Sequence, residues 1–192
     1  MAVYLMLMLS AYLRPGEGLT IRRGDLIQPF SGSKGCWALL LFPQERTARS
    51  KTGTRDDSLM LDAPWCMWMN QVIALLAQGP REEIVFGFSY ADFLIAFARA
   101  KLMLQLTDLV PYQARHSGPS IDRARGLRTL AEIMRRGRWQ AHSSVQRYER
   151  HTRLGQTQQS FSAKQARAFS FAERHLGDMI LGRLPVSALA FV

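Results

Sequence analysis

Four short stretches of this 192-residue chain carry side chains able to do chemistry on a phosphate. Arg14 stands at the end of a predicted helix, with a carboxylate, Glu17, three residues on. Lys51 lies in Ser50-Lys51-Thr52-Gly53, in the connection between two predicted strands. Tyr112 and Arg115 are spaced i, i+3 on a predicted helix and so share a face, and His116 follows them. Gly137-Arg138-Trp139 comes next, and Tyr148 lies nine residues beyond Trp139. Guanidinium groups hold phosphate oxygens bidentately, a lysine can deliver a proton, and a phenol can carry a phosphoryl group covalently. Each stretch also has a plainer reading. Arg14 could cap the first helix and Glu17 begin the next, Trp139 and Tyr148 could be core aromatics, and Lys34, also in a turn between strands, competes with Lys51.

Positioning these groups takes helices, a small sheet and turns. Val3 to Leu13 is apolar on every side, which predicts a buried first helix over residues 2–14, running into Pro15-Gly16. At eleven residues this run is too short to cross a bilayer, and no basic residue precedes it as in a signal peptide. A helix this close to Met1 reads like the start of a domain cut from something longer. A short amphipathic segment covers 17–25. Strands are predicted at 26–30, 36–42 and 58–61, separated by the turn 31–35 and the polar loop 44–57. Helices follow over 65–78, 89–105, 111–126, 127–136, 143–150 and 163–181, the second capped by Ser89 or Tyr90. The polar run 155–162 contains no acid or base and reads as a linker. The predicted class is α+β, mostly α-helical with a small three-stranded antiparallel sheet.

At 47% hydrophobic and 21% charged residues the chain can bury a core, which excludes a disordered tail. Lysine plus arginine outnumber aspartate plus glutamate 25 to 15, for a net charge of +10, and only four of the basic residues are lysine. An arginine bias favours nucleic acid over a merely solubilising surface. Ten arginines against Asp122, Glu132 and Glu149 fall between Tyr112 and Arg153, interleaved with Trp139 and Tyr148. Arg123, Arg125, Arg136, Arg138 and Arg147 are the predicted DNA contacts in that patch; a solvated helical face is the bland alternative. Two cysteines, Cys36 and Cys66, make neither a disulfide framework nor a four-ligand zinc site, and point to a reducing compartment. His142, His151 and His175 have no metal-ligand spacing, so neither metal nor cofactor is expected.

Taken together and in order, the four stretches resemble the catalytic domain of the tyrosine recombinases, or phage integrases. That family has an arginine with an acid three later, a lysine in a β-hairpin, a His-x-x-Arg box, a Gly-His or Trp element, and a tyrosine nine residues on. The resemblance covers roughly residues 3–154. It implies a catalytic domain over 1–154, a linker over 155–162 and a C-terminal helix and tail over 163–192. Tyr148 is then the nucleophile, Arg14 and Arg115 the clamp on the nonbridging oxygens, and Lys51 the acid for the leaving 5′-oxygen. Trp139 donates to phosphate or packs the nucleophile's helix, Glu17 holds the arginines, and His116 is a supporting, packed residue.

Tyr112 departs from the pattern, standing where the family usually has histidine. With a reference pKa of about 10 a phenol is a poor base near neutral pH, though it can donate to phosphate. The family's N-terminal core-binding domain has no counterpart in these residues. The resemblance implies double-stranded DNA as partner, a homo-oligomer on DNA, no membrane, an intracellular site of action, and cleavage and rejoining through a 3′-phosphotyrosyl intermediate. Its rivals are a catalytically weak DNA-binding module of the same fold and a type IB topoisomerase-like enzyme. Phe169, Ala172, Leu176 and Ile180 recur at helical spacing, so the last helix buries one side, on a second protomer as in the family or on its own chain.

Overall fold

The computed structural model describes residues 1–43, 46, 57–106, 108–149, 155–156 and 159–187. The described residues are mostly helical, with one three-stranded antiparallel sheet. The apolar N-terminal run forms helix α1, Ala2–Ser10, with Tyr4, Leu7 and Met8 fully buried. It stops four residues short of the predicted end. Ala11 closes the helix and Tyr12 takes a left-handed conformation, φ 53°, which turns the chain away from the helix axis. Helix α2, Pro15–Leu19, restarts at once: proline suits the first helical position, and the Glu17 carboxylate accepts the Arg14 backbone N–H at 2.7 Å.

The sheet runs in the order β1 (Leu26–Ile27), β2 (Ala38–Leu41), β3 (Asp57–Met60), with Leu26 opposite Leu39 and Leu39 opposite Leu59. β1 is shorter than predicted. After Pro29 the chain enters a turn in which Ser33 Oγ accepts from the Phe30 N–H at 3.0 Å and Lys34 has φ 52°. The predicted loop 44–57 falls outside the described residues except for Arg46 and Asp57.

Helix α3 is Met69–Leu76, preceded by a 3₁₀ turn at Pro64–Cys66, and α4 is Tyr90–Leu104. Ser89, one of the two expected caps, closes α4 reciprocally with Asp92. Helix α5 is Tyr112–Ala124, α6 is Leu130–Arg136 and α7 is Ser143–Gln146, continued by a 3₁₀ turn over Arg147–Glu149. Helix α8, Ala163–Ile180, follows a Ser162 cap. It lies on its own chain: Gln165 Nε2 donates to the Leu104 carbonyl at 2.9 Å, and a Cβ on Gly177 would sit 2.6 Å from the Trp68 ring. No helix among the described residues is long and apolar enough to cross a membrane.

Two cores hold these elements. The larger unites α1, the sheet and α3, with Tyr4 edge-on to Phe93 at 4.8 Å between ring centroids. The smaller comprises Tyr12, Ile133, Val145 and Tyr148, with Trp139 packed against it. Helix α5 lies against the end of α1 because residue 118 is glycine; a Cβ there would lie 1.9 Å from the Leu9 carbonyl oxygen. That contact brings Arg115 beneath Tyr12.

Candidate active site

Glu17 is the anchor. Its carboxylate is buried and takes Arg14 Nη1 at 2.6 Å and Arg138 Nη2 at 2.7 Å, while Arg115 Nη1 stands 3.7 Å away. Three guanidinium groups thus share one carboxylate, and Asp57, 3.7 Å from Arg138, supplies the next negative charge. Burial holds the Asp57 carboxyl above its ordinary pKa, with Arg138 opposing, which weakens even that compensation. The cluster has an excess of positive charge.

Arg115 is 0% exposed. Its Nη1 and Nη2 donate to the carbonyls of Tyr12 and Gly137, and its guanidinium lies 4.8 Å over the Trp139 ring. The Nε finds no hydrogen-bond partner among the described residues. Burial lowers the Arg115 pKa to about 10, opposed by Glu17 and assisted by Arg138 and Arg14, so the group is still cationic near neutral pH. The Tyr12 carbonyl also accepts from Arg138 Nη2 at 3.2 Å. One backbone oxygen, aimed by the left-handed turn at the end of α1, therefore joins two arginines that arrive from α5 and from the loop after α6.

The aromatic members stack beside this cluster. Gly137 lets Trp139 fold back over it, since a Cβ there would lie 1.8 Å from the indole. The Trp139 ring stacks on His116 at 6.2 Å and 24° and tilts against Tyr148 at 5.5 Å. Tyr148, 3% exposed, bonds through its hydroxyl to His116 Nδ1 at 2.6 Å. Burial pushes the Tyr148 phenol up to about 12, against the pull of Arg147 and Arg115. Tyr112, one helical turn before His116, sits edge-on to it at 5.0 Å and is 46% exposed.

Of the predicted site residues, Arg14, Glu17, Arg115, His116, Trp139, Tyr148 and Tyr112 are linked by these contacts, and Lys51 lies outside the described residues. The predicted DNA contacts divide. Arg125, ion-paired with Glu173 at 2.5 Å, and Arg147 are exposed, and Arg123 is half-buried. Arg136 and Arg138 do not face solvent as expected. Arg136 donates to the Ser10 and Met60 carbonyls at 2.9 and 2.8 Å and pairs with Asp62, while Arg138 belongs to the Glu17 cluster. A charge count cannot separate an arginine on the surface from one satisfied by backbone carbonyls.

Sequence reasoning missed Tyr12 and Asp122. Asp122 is fully buried and accepts from the Tyr12 hydroxyl at 2.5 Å, Trp65 Nε1 at 2.8 Å and Arg128 Nε at 2.9 Å, so it fixes the residue whose carbonyl aims both arginines. The only sequence signal for it is an acid in a strongly basic stretch. Among the described residues no group of three or more His, Cys, Asp or Glu is gathered as metal ligands. Comparison with known protein families, curated proteins and solved structures finds no match.

Proposed function

We propose that this chain cleaves and rejoins double-stranded DNA through a 3′-phosphotyrosyl intermediate on Tyr148, on the fold of the tyrosine recombinase catalytic domain. The observation that carries the reading is the meeting of residues from separate elements, in the order the family has them, around one indole. Trp139 touches Arg115, His116 and Tyr148, and Arg115 adjoins the Glu17 carboxylate that holds Arg14. Excess positive charge beside a phenol suits a phosphodiester whose nonbridging oxygens gain charge in the transition state. In this reading the protein acts where DNA is, as a homo-oligomer on the duplex, and Lys51 protonates the leaving 5′-oxygen.

The test uses the full chain with a pool of nicked duplexes of varied sequence, separated on a denaturing gel, with the adduct mapped by mass spectrometry. The expected result is a covalent complex at Tyr148, lost in Tyr148→Phe while DNA binding persists. An adduct that survives the substitution overturns the assignment. The second reading, a DNA-binding module with little cleavage, is favoured by the burial of Tyr148 and Arg115, which keeps both from a phosphate until the site opens. DNA binding with no adduct on any nicked duplex decides for it.

A further inference from the structure

We propose that His116 is a catalytic residue of this site, the base that takes the phenolic proton as Tyr148 attacks phosphorus. The inference rests on the cleavage reading above and assigns the proton's destination within it. The resemblance expects a histidine at position 112, but Tyr112 occupies it, a phenol 46% exposed that touches His116 only by its ring edge. One turn later on the same face of α5, His116 places Nδ1 2.6 Å from the Tyr148 oxygen, within hydrogen-bond reach of the proton to be moved. Stacking on Trp139 at 24° holds the imidazole plane, and the base and nucleophile arrive from different elements, α5 and the turn after α7.

The protonation state fits the task. The groups acting on the imidazole are its burial, then Arg147 from the nucleophile's turn and Arg115 from α5, and together they hold its pKa down to about 4. Tyr148 and Tyr112 are the phenols packed against it. Near neutral pH the ring is therefore unprotonated, and with its proton on Nε2 it accepts from Tyr148 at Nδ1. A phosphodiester entering beside the arginines brings the negative charge that offsets them and raises the basicity of His116 when the proton must leave. In the step itself the Tyr148 oxygen forms a bond to phosphorus and its proton passes to Nδ1. The bond from phosphorus to the 5′-oxygen breaks with its electron pair, and that oxygen takes a proton from a separate acid, the role given to Lys51. Rejoining runs the same transfers backwards.

The experiment compares wild type, His116→Ala and His116→Asn on nicked duplexes carrying either the ordinary 5′-oxygen or a 5′-sulfur at the scissile position, with and without added imidazole. Sulfur leaves without needing an acid, so it repairs the loss of an acid and not the loss of a base. The expected result is duplex binding close to wild type, adduct formation slowed about 10²–10⁴-fold in both variants, partial recovery of the alanine variant by imidazole, and no recovery on the sulfur substrate. Wild-type rates from His116→Ala, or repair by sulfur alone, overturn the proposal. So does loss of duplex binding in both variants, which makes the pair a packing contact. A wild-type chain that forms no adduct removes the cleavage reading itself, an outcome distinct from a wild-type adduct undiminished by the substitutions.

Discussion

Replacing Glu17 by alanine removes the one carboxylate shared by Arg14 at 2.6 Å, Arg138 at 2.7 Å and Arg115 at 3.7 Å. Two of these guanidinium groups, Arg115 and Arg138, are buried and cannot turn to water when their counter-charge is gone. Removing one partner of a buried ion pair costs about 3–5 kcal/mol. Asp57, 3.7 Å from Arg138, retains some compensation, which puts the expected loss near the middle of that range, about 4 kcal/mol. For a chain of this size each kcal/mol lowers Tm by about 2–4 °C, so the midpoint falls by about 8–16 °C. Thermal and urea unfolding read the change directly. Glu17→Gln, which keeps an acceptor but not the charge, falls between the two. Sulfate or phosphate stabilises the alanine variant more than wild type, because an anion can bind where the carboxylate stood. A loss below about 1 kcal/mol, the range of an exposed pair, refutes the claim that the arginines depend on Glu17, and so does an anion effect equal in both proteins.

Exposed and buried arginines separate in DNA binding. Arg147→Ala lowers the slope of log affinity against log salt by about 0.9, whereas Arg136→Ala leaves the slope unchanged and costs about 3–5 kcal/mol of stability, as measured by salt titration and urea unfolding. His116 titrates at about 4 in the folded chain, below its ordinary value, so the unfolded chain binds the proton first. Stability is therefore full above about pH 6.5 and falls as pH drops toward 4, and His116→Asn flattens that interval of the urea midpoint. Gly118→Ala drives a methyl to within 1.9 Å of the Leu9 carbonyl; it destabilises by about 1–3 kcal/mol or more and weakens adduct formation by shifting Arg115.

What could be read from the chain in advance was local. Ser89 is one of the two expected caps of α4, and the structure has it at that position. Glu17, expected to hold the arginines, is ion-paired with Arg14 three residues earlier, although the helix start at Pro15 rather than Glu17 was not foreseen. The end of α1 was not legible. Tyr12 has no turn-forming side chain, and its left-handed backbone is held by partners more than a hundred residues away, Asp122 on its hydroxyl and Arg115 and Arg138 on its carbonyl. The burial of Arg136 was hidden for the same reason, because its acceptors are main-chain oxygens at Ser10 and Met60 that every residue possesses. His116 was expected only to pack. Its contact with Tyr148 joins α5 to the turn after α7, a proximity set by the smaller core.

The seating of α1 against α5 also bears on how the protein is made. Its apolar helix ends at Ser10, but the glycine face that receives it, around Gly118, lies more than a hundred residues further along the chain. At about 5–20 residues per second, α1 waits on the order of ten seconds for that partner during synthesis. Throughout that interval the side of α1 that α5 covers stays open, an apolar surface of the kind that chaperones bind and aggregates recruit. Foldability in a cell then depends on the delay between these two helices as much as on the final contact, and slowing translation between them lowers the soluble yield.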